Sequence, residues 1–98
     1  VLFRSEFDVA FELVLSPQNF DEDSDKLVDA IYGFGDKSEQ CGDVHAGGEA
    51  TTGLLDIRVQ VTAADLPSAI SSAYALLVDA ISSSNVKADI RNQTAIAV

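Results

Sequence analysis

The chain has 98 residues and a mass of 10.4 kDa, which is room for one domain with one modest core, since surface scaling gives about 5,400 Å² folded against about 15,000 Å² unfolded. With 47% hydrophobic residues, 6 glycines and 2 prolines, it is neither a disordered nor a collagen-like segment. Its formal charge of -10 opposes the phosphate neutralisation that nucleic acid or an anionic membrane demands, so neither is an expected partner.

The opening Val1-Leu2-Phe3-Arg4-Ser5 looks like the translated end of a sequencing adapter, and the chain has no methionine. Residues 1–5 are therefore expected to be a non-native leader, with a single domain over 6–98. From Glu6 to Leu15 the run EFDVAFELVL puts Phe7, Val9, Phe11, Leu13 and Leu15 on one side and Glu6, Asp8 and Glu12 on the other. That is a half-buried strand. Ser16-Pro17-Gln18-Asn19 breaks it, and Asp21 to Phe34 then shows Leu27, Ala30, Ile31 and Phe34 at helical spacing, with Gly33 and Gly35 expected to end the helix.

Asp36 to Thr52 reads as a long loop interrupted by a short edge strand near Asp43 to Ala46. Gly53 to Thr62 is plainer, because Leu55, Ile57, Val59 and Val61 alternate with Asp56, Arg58, Gln60 and Thr62. Asp65 is a credible N-cap for the next helix, Pro67 suits its first turn, and Leu66, Ile70, Ala73, Leu77, Ala80 and Ile81 mark its core stripe. The helix should close near Ser84-Asn85. From Val86 onward, Val86, Ala88 and Ile90 alternate with Lys87, Asp89 and Arg91, giving a last strand that continues weakly through Ala97.

The order β-α-β-β-α-β predicts an α+β, ferredoxin-like sandwich: a four-stranded antiparallel sheet of order 4-1-3-2 with two helices on one face. In that order the acids of the first strand share the open face with Arg58 on one neighbour and with Lys87 and Arg91 on the other.

Chemistry has to be sought on that open face, in the loop, or in the acidic run. An RNA-recognition sheet needs exposed aromatic platforms, whereas Phe7 and Phe11 fall on the apolar side. Asp21-Glu22-Asp23-Ser24-Asp25 has alternating oxygens, but Lys26 and Tyr32 stand where a calcium loop needs its glycine and its bidentate glutamate. The run reads instead as a helix start that complements the dipole. Cys41, Asp43 and His45 are spaced by two, so on an extended strand all three project from one face and could hold Zn²⁺ with one position open. There is no strained nucleophile turn and no phosphate-cradling loop. A non-enzyme without a cofactor is expected. A single cysteine allows no intrachain disulfide, and no apolar window reaches the ~18 residues of a membrane span, so the expected location is the cytoplasm.

The strand FDVAFELVL, the passage LVDAIYGFGDKSEQCGD and the stretch LDIRVQVTAADLPSAISSAYALLVDAI together resemble a group of small uncharacterised bacterial proteins. The resemblance implies the fold and carries no activity. The reading is a non-enzymatic interaction or regulatory module that binds a protein partner or a second copy of itself through the open sheet or an edge strand. Its surface would comprise Asp8, Ala10, Glu12, Val14 and Arg58. Two alternatives are an acidic nucleic-acid mimic acting through Asp21, Glu22, Asp23 and Asp25, and a small metal- or ligand-binding protein.

Overall fold

In the computed structural model, which describes residues 5–98, the chain runs β1 (Ser5–Val14), a short 3-10 turn (Pro17–Asn19), α1 (Phe20–Lys37), β2 (Cys41–Glu49), β3 (Leu54–Ala63), α2 (Leu66–Ser84) and β4 (Asp89–Ala97). The strands form one antiparallel sheet in the order β2-β3-β1-β4, which is the expected 4-1-3-2 read from the other edge. The predicted leader falls mainly outside the described residues. Its last member, Ser5, opens β1 opposite Ala63.

Alternation along β1 and β3 builds the core. Val9, Leu13, Ile57, Val59 and Val61 meet Leu27 and Ile31 of α1 and Ala73, Leu77 and Ala80 of α2, all nearly inaccessible. Full burial of each Val, Leu or Ile side chain contributes about 1.5–3 kcal/mol. The small residues of α2 let its backbone lie close to the sheet. The helix begins as expected: Ser68 N–H donates to Asp65 Oδ1 at 2.8 Å and Pro67 occupies the first turn. It ends at Asn85, which adopts the left-handed conformation at φ 61°.

Four expectations are corrected. First, α1 passes through Gly33 and Gly35 to Lys37, because the buried Gly35 sits against Val44 of β2 and the packing holds the helix together. Second, most of the expected loop is ordered structure: β2 spans nine residues, pairs with β3 and returns through a tight turn at Ala50–Gly53. Third, the buried stripe of α2 keeps the expected Ala73, Leu77 and Ala80 but gains Ala69 and Leu76 and leaves Leu66 exposed. Fourth, β4 starts at Asp89, so Lys87 lies ahead of the strand rather than on it.

Two glycines at the hairpin end are required by geometry. Gly53 has φ +74° and an added Cβ would collide with the carbonyl oxygen of Leu15, whose own N–H donates to the Gly53 carbonyl at 2.7 Å. At Gly48 a Cβ would lie 2.6 Å from Cζ of Phe20, so its bare backbone gives that ring its seat.

Candidate functional site

The two helices cover one face of the sheet and leave the other to water. Strand register determines which side chains gather there. On β1 the open-face residues are Glu6, Asp8, Ala10, Glu12 and Val14. Across one row, His45 of β2 stands opposite Arg58 of β3, Arg58 opposite Ala10, and Ala10 opposite Thr94 of β4. The adjoining row reads Gly47, Asp56, Glu12 and Asn92.

A hollow of about 400 Å³ lies where these rows meet β2, lined by Ala10, His45, Ala46, Gly47, Asp56 and Arg58. A second, of about 360 Å³, continues toward β4 and shares Ala10 and Asp56 with the first. Together they form a trough across the sheet. Its floor is low because Ala10 and Gly47 carry almost no side chain. The polar groups that converge on it are an imidazole, a guanidinium and a carboxylate, the combination that fixes orientation in ligand sites. A larger hollow of about 570 Å³ between the end of α2 and the start of β4 is walled mainly by Val14, Leu15, Ile81, Val86 and Ala88, and the histidine is not part of it.

Charges near the trough are partly neutralised across strands. Gln60 Nε2 donates to Glu6 Oε2 at 3.1 Å, Asn92 Nδ2 donates to Glu12 Oε1 at 3.3 Å, and Arg91 Nε lies 3.9 Å from the same oxygen. The last contact arises because Arg91 is an extra residue in β4: Glu12 pairs with Asn92, whereas Leu13 pairs with Ile90. After this bulge the alternation of β4 inverts, and Ile96 emerges on the open face opposite Asp8, 64% exposed.

A comparable bulge separates the expected metal ligands. Cys41 pairs with Val61 but Val44 pairs with Val59, so β2 carries one residue more than β3 over this span. Cys41 therefore turns into the core, where it is 8% exposed, while His45 turns to the open face and Asp43 sits in the bulge. The common face predicted for the three from their spacing is not formed. Among the described residues no group of three or more His, Cys, Asp or Glu side chains is placed to hold a metal ion.

The other expected surface residues divide into two sets. Asp8, Ala10, Glu12, Val14 and Arg58 share the open face, and Ala10 and Arg58 line the trough. Asp21, Glu22, Asp23 and Asp25 lie in the first turns of α1, on the helical layer behind the sheet, where Glu22 pairs with Lys26 at 3.3 Å. Sequence reasoning did not bring Asp56 to the same hollow as His45. Its signal was present in the alternation of β3, but the register of β2 was needed to use it.

No family model and no curated sequence matches the chain. Solved structures do match. The structural-genomics protein YJCS superposes with a TM-score of 0.64 at 14% identity, over 96% of this chain and 99% of that one. A candidate antibiotic biosynthesis monooxygenase from Chloroflexus aurantiacus J-10-fl superposes with a TM-score of 0.57 at 11% identity, over 96% and 93% of the two chains. These likenesses place the chain in the ferredoxin-like βαββαβ fold, as a small protein among structural-genomics neighbours.

The expectation of a non-enzymatic interaction module is corrected by the second of them. The same architecture serves a candidate monooxygenase, so a missing nucleophile turn and a missing phosphate loop are no ground for excluding catalysis on it. Among the described residues no helix is long and apolar enough to cross a membrane.

Proposed function

We propose that this protein binds a small organic molecule in the trough on its open sheet face and acts on it as an enzyme of the monooxygenase type. The observation that carries the reading is the meeting of His45, Arg58 and Asp56 around a hollow of about 400 Å³ floored by Ala10 and Gly47. Imidazole is the side chain suited to accept and return a proton near neutrality, which makes His45 the acid–base group. Arg58 supplies a fixed positive charge that can hold an oxyanion, and Asp56 accepts a hydrogen bond from the ligand. Monooxygenation that balances without an outside reductant takes a phenol to a quinone, one oxygen atom entering the ring as a carbonyl and the other leaving as water, with the substrate giving up all four electrons and both hydrogens, so an oxidisable phenol suits the site. Support comes also from the Chloroflexus aurantiacus fold neighbour, whose description names that activity. The lone cysteine, buried in the core, fits a reducing cytoplasm, where we place the protein.

The test is heteronuclear NMR titration with a panel of phenols, quinols and aromatic acids, followed by oxygen-uptake assays with those that bind. Shifts centred on Ala10, His45 and Arg58, with oxygen uptake that falls in His45→Ala, would support the reading. No shifts at millimolar ligand would overturn it, and so would a dimer in sedimentation that buries the trough and keeps the probes out.

A further inference from the structure

The trough has two unlike ends on one strand. Asp56 and Arg58 project from the same face of β3, two residues and hence about 7 Å apart along the strand. Both are exposed, and among the described residues neither takes part in an ion pair or a side-chain hydrogen bond. Glu6 and Glu12 on the neighbouring strand do have such partners.

Register explains the difference. Arg58 is flanked by Ala10 and His45, neither of which is a carboxylate. Asp56 is flanked by Gly47 and by Glu12, a like charge directly across the ladder, which disfavours the pair unless a donor is brought to it. A ligand covering the trough would strip water from both groups, and each must then be given a partner. A hydrocarbon provides neither. A cation meets Arg58, and a polyanion meets Asp56, Glu12 and Asp8 on a chain of net charge -10.

Resting on the trough being the ligand site, the geometry points to a flat hydroxy acid as the ligand class. Its carboxylate lies on Arg58 beside His45, its hydroxyl donates to Asp56, and its ring spans Ala10 and Gly47. The rise of about 7 Å between the two positions along β3 is comparable to the length of a single ring substituted at opposite ends.

Para-hydroxybenzoate is the probe, with benzoate and phenol as the two halves, titrated into the full chain and followed by NMR. The whole probe should bind about tenfold more tightly than either half. Arg58→Gln should abolish the preference over phenol, and Asp56→Ala, which leaves the hydroxyl no acceptor, the preference over benzoate, with circular dichroism confirming that both variants fold. Equal affinity for the three compounds, or preferences unmoved by the variants, would overturn the ligand class. If phenol alone still shifts Ala10 and His45, the trough remains the site and only the class is wrong. If no compound shifts them, the site itself fails.

Discussion

Along β1 the two faces of a single strand obey different constraints. Val9 and Leu13 are wholly buried and Phe7 and Phe11 nearly so, each packed on a layer that tolerates little change in volume. Between them Asp8, Ala10, Glu12 and Val14 remain partly open to water, and the groups gathered beside Ala10 and Glu12 on β2, β3 and β4 are polar or small, with Ile96 and Leu54 as the apolar neighbours further along the face. Stability is concentrated on one side of the sheet and chemistry on the other. The two should therefore be separable by mutation.

The largest break in this separation should come from the buried side. Leu13→Ala is expected to cost about 2–5 kcal/mol, read from the urea midpoint, because the surrounding helices and strands cannot fully close the cavity. Gly53→Ala is next. Forcing alanine to φ +74° costs about 1–2 kcal/mol before its contact with the Leu15 carbonyl is counted, and the same denaturation measurement reads the sum.

Asp65 tests the comparison at the helical layer, through pH. Its hydrogen bonds with Ser68 hold its carboxyl below the ordinary aspartate value, so the folded state favours the carboxylate. The stabilisation is present above pH 3.8 and is lost as pH falls through the lower folded value. Asp65→Asn keeps an acceptor without titrating. The stability difference between the two proteins should shrink as the solution is acidified into that range, as read from thermal melts over a pH series.

The smallest stability effects belong to the open face. Arg58→Gln and Asp56→Asn change exposed side chains without partners among the described residues, and each should leave the unfolding free energy within about 0.5 kcal/mol of the parent. A large loss of stability in either would show that the two faces are coupled.

Much of this architecture was legible from the chain alone. Strict alternation in EFDVAFELVL and GLLDIRVQVT, and the Asp65-Leu66-Pro67 start of α2, located both central strands and one helix end, because local periodicity and capping chemistry act over a few residues. The strand order followed from connection rules. The end of α1 did not, since whether Gly33 and Gly35 break a helix depends on what packs against them.

The site was less legible, for a related reason. Its members lie on three strands, and their common face depends on pairing register. One added residue in β2 sends Cys41 inward and His45 outward; one in β4 brings Arg91 to Glu12 and exposes Ile96. Bulges leave no periodic signature in so short and glycine-rich a segment as CGDVHAGGE. The sequence by itself determined which strands are half-buried and which of their faces is apolar, because side chains alternate with a period of two. Only the tertiary structure decided which polar residues meet on the other face, because a single unpaired residue reverses every side chain beyond it.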